Sequence, residues 1–286
     1  SASVGGAAIG QADLAPDNEA GTLFVNGRWR AGSWTMNGAL SLNQMKQNDA
    51  LLPYTLNSAI RGIDFDRTTF AATDPGALPV ANADTQVDVL SFSGAANGKL
   101  GKAFTLGFKV RYYDYDNGSS RIEFPGYVRF NGVWEDIGRV TVPYSYTVQD
   151  LGADLGWNFG EASRLGLAFN RQSWDRTFRE VKDSDEDVIK LTYDTRFGDL
   201  QLRAAYEWGD RSIGDYRTEA MEATFIEPEG ITNLPALRKY DEAARTYDGY
   251  YVQAWWYASE KLDFAFGVNQ RSDDYDESRF GLVSDE

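Results

Sequence analysis

The chain has 286 residues, with 43 Asp and Glu against 28 Lys and Arg, and its formal net charge is −15. It contains no Cys and no His, which excludes disulfides, thiolate or imidazole metal sites, Ser-His triads and covalent c-type haem attachment by this chain alone. The acidic balance argues against nucleic acid as a partner, because phosphates require a basic face.

Ten stretches of the chain alternate apolar and polar residues, which predicts ten β-strands. The clearest are residues 101–115, 199–209 and 261–271. The alternation persists for about 10–14 residues, close to the length of a tilted membrane-crossing strand, whereas strands of soluble proteins are commonly about 5–6 residues long.

The connections between these strands alternate short and long. Short connections are predicted near residues 31–33, 97–99, 160–162, 198–199 and 259–260. Long connections are predicted at about residues 47–83, 116–144 and 214–246, with a medium one at 177–186. Tight turns at one end and long loops at the other are typical of outer-membrane barrels, and the aromatic content of 14% suits their interfacial girdles.

The predicted fold is therefore all-β: an antiparallel transmembrane β-barrel segment of about ten strands in five tight-turn hairpins, with long loops on the opposite side. Residues 1–286 are interpreted as a single outer-membrane β-barrel region, with the long loops extracellular. The alternative is a soluble β-rich surface or adhesion protein, in which Phe104, Phe108, Leu202 and Phe264 would pack against a second sheet.

Every tight turn joins an odd strand to the next even one, so both chain ends are predicted on the long-loop side. A complete barrel would be expected to begin and end in the periplasm. We therefore expect an internal segment of a larger barrel, cut in two extracellular loops. A further strand within residues 1–20 is the alternative explanation.

Motifs at the predicted loop–strand junctions resemble those of the MtrB/PioB family, the outer-membrane barrels that sheathe multihaem cytochromes. The matching residues of the first sixty are Pro16, Asp17, Asn18, Gln47, Asn48, Asp49, Pro53, Tyr54, Thr55 and Asn57, and the stretch 47–57 is the most specific match. Further matches occur at residues 112–117, 142–146 and 180–211. Members of the family are longer, with well over twenty strands.

The resemblance implies electron transfer across the bacterial outer membrane, with one multihaem c-type cytochrome in the lumen and a second at the cell surface. Because this chain has neither Cys nor His, haem c is expected on those partners and no cofactor on the chain itself. Outer-membrane lipid is the other expected contact, and an enzymatic role is not expected. The alternative function is a passive or substrate-selective porin without a cytochrome, which a constricting loop such as 47–83 would favour.

The charges predicted on the lumen side are candidates for partner contact. They are Lys109, Arg111, Arg164, Lys190, Asp194, Arg196, Arg203, Glu207, Asp263 and Arg271. Ordinary lumen chemistry is the competing interpretation, because a passive porin also has a charged interior. The residue types alone favour ordinary lumen chemistry, and the family resemblance favours partner contact.

Acidic clusters form weak calcium candidates because closely spaced carboxylates can bind Ca²⁺. The candidates are Asp114, Asp116, Asp183, Asp185 and Asp187. None fits the EF-hand spacing, so the pattern favours solvated acidic loops. Tryptophans at strand ends are interpreted as membrane-interface belts: Trp29, Trp34, Trp157, Trp174, Trp208, Trp255 and Trp256.

Overall fold

Ten long β-strands form one antiparallel sheet in the computed structural model of the chain. The structure describes residues 9–10, 17–217, 220, 223–226 and 234–276. The strands are β1 (Asn18–Ala31), β2 (Trp34–Gln47), β3 (Thr85–Leu100), β4 (Phe104–Asn117), β5 (Tyr146–Phe159), β6 (Ser163–Arg176), β7 (Asp183–Phe197), β8 (Leu200–Ile213), β9 (Arg245–Ser259) and β10 (Leu262–Tyr275). The predicted all-β class and antiparallel architecture are confirmed.

Each strand pairs only with its neighbours in chain order within the described sheet, so β1 and β10 are its two edges. Five tight turns close the hairpins, and glycines in left-handed conformation lie in four of them: Gly32, Gly101, Gly160 and Gly198, with φ between 57° and 71°. Left-handed backbone favours glycine because it has no Cβ to clash. The alternation of short and long connections follows from this topology.

Two predicted boundaries were wrong. The second hairpin turn lies at 101–103 and not at 97–99, because β3 continues through the Asn97–Gly98–Lys99 run to Leu100. The medium connection ends at Lys182 and not near residue 186, because β7 begins at Asp183. In both cases the strand hydrogen bonds extend through residues whose polarity resembles that of a loop.

The long connections cover residues 48–84, 118–145 and 214–244. The first two contain short strand pairs, and they dock on each other through aromatic rings. Tyr54 lies 5.1 Å from Trp134 and 5.6 Å from Phe70, centroid to centroid, and 6.3 Å from Phe124. Among the described residues, no helix has the length and apolarity needed to cross a bilayer.

The register gives the sheet two chemically different faces. One face, here called the apolar face, carries large hydrophobic side chains at the middle of every long strand, and these are exposed: Phe108 by 47%, Leu167 by 49% and Phe266 by 62%. The other, the polar face, carries glycines, alanines, hydroxyls, amides and charges. A water-soluble protein rarely exposes so continuous an apolar surface.

The predicted alternative of a second sheet packed on the apolar face was wrong. Phe104, Phe108 and Phe264 are 41%, 47% and 38% exposed. The further sheets in the described part of the chain each contain two short strands, and they belong to the long loops. The apolar face is therefore open to an apolar environment outside the chain.

An aromatic side chain of the polar face lies over a glycine of the neighbouring strand. Tyr247 on β9 covers Gly209 on β8, where a Cβ atom would meet Tyr247 Cε1 at 2.0 Å. The Tyr247 hydroxyl donates a hydrogen bond of 2.8 Å to Glu207 Oε1, which holds the ring in that position. The missing side chain of Gly209 thus creates the space that the ring fills.

Replacing Gly209 by Ala should displace the Tyr247 ring and destabilise the sheet by about 1–3 kcal/mol, the usual cost of overpacking. The urea midpoint of the refolded protein in detergent would measure the loss. Gly267→Ala is the matched control, because a Cβ there has nothing within 4 Å. Equal midpoints for the two variants would show that the ring does not depend on the glycine.

Candidate functional site

The polar face brings together the ten charged residues that the sequence marks as candidates for partner contact. The register puts all of them on this one face, on strands β4, β6, β7, β8 and β10: Lys109, Arg111, Arg164, Lys190, Asp194, Arg196, Arg203, Glu207, Asp263 and Arg271. Their role in binding a partner stays a prediction.

Half of these residues line one hollow. An open hollow of about 540 Å³ on the polar face is bordered by Lys190, Asp194, Arg203, Glu207 and Arg271. Lys190 Nζ lies 3.1 Å from Glu207 Oε2, and Arg203 Nε lies 2.5 Å from Asp194 Oδ1. The charges at the floor of the hollow therefore neutralise each other in cross-strand pairs.

The other half lie outside that hollow and behave differently. Arg164 donates to Thr105 Oγ1 at 2.9 Å, and Arg196 donates to the Gly198 carbonyl at 2.8 Å. Lys109 and Arg111 on β4 and Asp263 on β10 have no ion pair with the described residues. These side chains keep their charge available to whatever lies above the face.

The polar face also contains charges that the sequence reading missed. Arg245 pairs with Glu186, and its Nη1 lies 3.3 Å from Asp273 Oδ1. Arg271 Nε lies 2.9 Å from Asp273 Oδ2. Side chains in a strand alternate between the two faces, so residues an even number of positions apart share a face. Glu186 is four residues from Lys190 and Asp273 is two residues from Arg271, so the alternation of the sequence would have placed both on the polar face. Arg245 reaches the same face through its pairing with β8.

The five calcium candidates lie in strands and not in the predicted loops. Asp114 and Asp116 belong to β4, and Asp183, Asp185 and Asp187 belong to β7, all on the apolar-face side beyond the hydrophobic residues. Arg171 pairs with two of them, at 2.8 Å from Asp185 and 3.4 Å from Asp187. The described residues contain no group of three or more carboxylates arranged to hold a metal ion.

The family-motif residues build the base of the first long loop. The Asp17 backbone N–H donates to Asp49 Oδ2 at 2.8 Å, and Asn18 pairs with Gln47 in the register. Thr55 and Asn57 are buried, and the Asn57 backbone N–H donates to Thr55 Oγ1 at 3.1 Å.

Three further residues of the motif, Asn48, Pro53 and Tyr54, belong to the same loop. The remaining one, Pro16, lies outside the described residues. Burial, with a smaller contribution from Asp64, raises the pKa of Tyr54 to about 12, so this hydroxyl stays protonated at neutral pH. The contacts of the motif are structural: it shapes the loop and joins it to the sheet.

The segment 234–244 of the third long loop lies over the polar face at the long-loop end. Arg211 projects from the polar face of β8, and its guanidinium donates to the carbonyls of Ala243, at 3.0 Å, and Tyr240. The first long loop, expected as a possible constriction at 47–83, packs on residues 118–145 through the aromatic rings around Tyr54. The contacts with Arg211 come from the third loop, and a constriction by the first loop stays a prediction.

A buried acidic pair docks that third loop onto the connection between β6 and β7. Glu242 is 1% exposed, and its Oε1 lies 3.0 Å from Arg179 Nη2. Lys239 Nζ lies 3.1 Å from Glu180 Oε1 and 3.8 Å from Glu242 Oε2. Burial, with a further contribution from the neighbouring Glu180 carboxylate, raises the pKa of Glu242 to about 7. No sequence pattern marks this cluster.

The hydrophobic part of the apolar face is about nine residues tall, as on β4 from Phe104 to Tyr112 and on β8 from Leu200 to Trp208. That height suits a tilted strand crossing a bilayer. Aromatic rings concentrate at its short-turn end, where Trp157 lies 6.3 Å from Phe104 and 4.8 Å from Phe159.

The tryptophan prediction was correct in part. Five of the seven residues lie on the apolar face: Trp29, Trp34, Trp157, Trp208 and Trp256. Trp174 and Trp255 lie on the polar face, because each is an odd number of residues from the apolar positions of its own strand. These two rings therefore do not belong to a lipid-facing belt.

Substituting Leu167 by Arg would place a charge in the middle of the apolar face and should destabilise the membrane-inserted protein by about 2–4 kcal/mol. Ala168→Arg is the matched control, because Ala168 is the next residue of β6 and lies on the polar face. Unfolding by urea in lipid vesicles would compare the two variants. Equal losses would contradict the assignment of the apolar face to lipid.

Glu242→Gln should stabilise docking of the third loop at alkaline pH. Because the pKa of Glu242 is raised in the docked state, its contribution to docking is full below about 4.5 and is lost as pH rises through about 7. Hydrogen exchange of residues 234–244 should therefore quicken by about tenfold or more between pH 5 and 8.5, after correction for intrinsic exchange. Gln should abolish that change, and Glu161→Gln in an exposed turn should leave it intact. An unchanged pH profile in Glu242→Gln would refute the assignment.

Comparison with known proteins agrees with the prediction of an outer-membrane β-barrel. The family model described as "outer membrane beta-barrel porin, MtrB/PioB" matches residues 2–286. Outer membrane protein MtrB of Shewanella baltica (strain OS185) is 22% identical over 277 residues, which cover 96% of this chain and 36% of that protein. The chain thus spans about a third of the length of the curated relative that it matches.

Solved structures with some similarity are those of OmpT from Vibrio cholerae. The in-vitro folded trimer form has a TM-score of 0.38 and 11% identity, with 96% of this chain and 95% of that chain covered. The outer-membrane expressed form has a TM-score of 0.37 and 10% identity, with 89% and 79% covered.

The family match extends over almost the whole chain, and it agrees with a ten-stranded antiparallel sheet that has one exposed apolar face and one charged face. The protein is located in the outer membrane, where an apolar face of this height contacts lipid. The chain belongs to the MtrB/PioB family of outer-membrane β-barrel porins.

Proposed function

We propose that this chain is part of an outer-membrane sheath that holds a multihaem c-type cytochrome in its lumen, so that electrons cross the membrane. The observation that carries the proposal is the polar face, which presents fixed charges along the strands on the side away from lipid. Membership of the MtrB/PioB family supports it. The protein's own contribution is to exclude lipid and water from the electron carriers and to hold them in line.

The haem groups of this conduit belong to the partners. The chain has no Cys or His with which to attach or ligate haem c, and its role is non-catalytic. A second cytochrome would dock on the extracellular side, where the long loops form a folded layer through the Tyr54 cluster and the Glu180–Glu242 pair. Outer-membrane lipid covers the apolar face.

The proposal includes a barrel of more than ten strands. Edges β1 and β10 each offer a row of backbone groups that must find partners within a bilayer. A ten-stranded barrel would have too narrow a lumen for a folded protein, since diameter grows with strand number. The greater length of the matched relative supports further strands.

The test is to solubilise the native complex from outer membranes, record its visible spectrum and stain a denaturing gel for haem. Covalent haem c migrating on separate polypeptides that co-purify with this chain is the expected result. A haem-free barrel that conducts ions in planar bilayers would refute the sheath and favour a passive or substrate-selective porin. The position of segment 234–244 over the polar face is the observation that favours this second function.

A further inference from the structure

The sheet separates the charges of its strands by sign, a feature hidden by the net charge of −15. The apolar-face side carries two cations, Lys46 and Arg171, against eleven carboxylates: Glu19, Asp88, Asp114, Asp116, Asp175, Asp183, Asp185, Asp187, Asp210, Asp248 and Asp274. All eleven lie at the long-loop edge of the hydrophobic band or beyond it, and Asp248 is opposite Trp208 at that edge. The excess of carboxylates over cations in the strands therefore lies on the side of the sheet away from the lumen.

The polar face has the opposite sign. It carries seven carboxylates, namely Asp150, Asp154, Glu186, Asp194, Glu207, Asp263 and Asp273. Against them stand thirteen cations: Arg28, Arg30, Lys99, Lys109, Arg111, Arg164, Arg176, Lys190, Arg196, Arg203, Arg211, Arg245 and Arg271. The polar face of an acidic protein is thus electropositive.

Internal pairing leaves the positive surplus uncompensated. Four of the seven carboxylates of the polar face are held in ion pairs with Lys190, Arg203, Arg245 and Arg271. Seven cations have no carboxylate within ion-pair distance among the described residues and are not covered by segment 234–244: Arg28, Arg30, Lys99, Lys109, Arg111, Arg164 and Arg196. All but Arg164 are exposed.

Two of these cations are held close to the wall. The Lys109 side chain lies over Gly152, where a Cβ atom would meet its Cε at 2.2 Å, and the Arg164 guanidinium lies over Gly156 at the same distance. Glycine at these positions lets the long side chains lie along the sheet. Their charges line the wall and leave the space above it open to a large occupant.

We propose that the polar face binds a protein whose facing surface is rich in carboxylates. The inference rests on the proposed function and names the chemistry of the lumen partner. The uncompensated cations extend from β1 to β7, six strand spacings or about 29 Å at about 4.8 Å per strand. A width of about 29 Å is larger than a small anion and is comparable with the width of a protein surface. Walls of low dielectric strengthen such a field and fix the register of the partner.

The test compares two variants with the same change in net charge, in the barrel expressed at its natural length. One combines Arg30→Gln, Lys99→Gln and Arg111→Gln on the polar face. The control combines Lys46→Gln, Lys102→Gln and Lys261→Gln, which lie on the apolar-face side or in tight turns. Heat-modifiable migration on gels would establish that both are folded. The measurement is the NaCl concentration that releases half of the haem-stained polypeptide from the immobilised barrel.

The polar-face variant should release that polypeptide at lower salt and with about tenfold weaker binding at low ionic strength, and the control should match the wild type. Equal release from all three proteins, or tighter binding by the polar-face variant, would overturn the acidic partner while leaving the sheath intact.

If no haem-stained polypeptide binds the wild-type barrel, the proposed function itself fails, which is a different outcome from failure of the acidic-partner proposal. The reversal potential of the purified barrel in planar bilayers under a KCl gradient would then decide what the polar face does. Anion selectivity that the polar-face variant loses would assign the positive face to small anions in place of a protein. A pore without anion selectivity would overturn the electropositive face itself.

Discussion

A backbone that crosses lipid has to pair its N–H and C=O groups with neighbouring strands, and this requirement decides the face on which each side chain of the sheet lies. Nine antiparallel pairings run from β1 to β10, with a register shift in the last one between Tyr257 and Ser259. A slip of one residue in the pairings of β6 would turn Leu167 towards the polar face and Ala168 towards lipid. The apolar face and the charge pattern of the polar face are therefore consequences of one register.

The same register explains how an acidic chain can have a basic interior. Carboxylates such as Asp114 and Asp187 lie where the strands have passed the hydrophobic band, so they meet water or the polar layer of the membrane. Lys109 and Arg164 lie on the polar face, beside glycines that let their side chains lie flat. The net charge of the whole chain thus has the opposite sign to the surface that would meet a lumen partner.

The loops complete the long-loop end as a folded layer rather than a set of free connections. The first two dock through the rings around Tyr54, and the third is held by Arg211 and by the Glu180–Glu242 pair. Burying two carboxylates together is costly unless they share a proton or meet cations, and Arg179 and Lys239 supply the cations. In the proposed conduit, this layer would separate the lumen partner from the cell surface.

Alternation in the sequence was sufficient to predict ten strands, their hairpin order and the shared face of residues such as Lys190, Arg203 and Glu207, because side-chain direction in a strand has a strict period of two. Strand ends were predicted less well: Asp183–Glu186 and Asn97–Lys99 look like loops, and only cross-strand hydrogen bonds place them in strands. Tertiary structure alone decided which loop lies over the polar face and that Glu242 is buried beside Glu180. Such contacts join residues more than 30 positions apart, and no local periodicity encodes them.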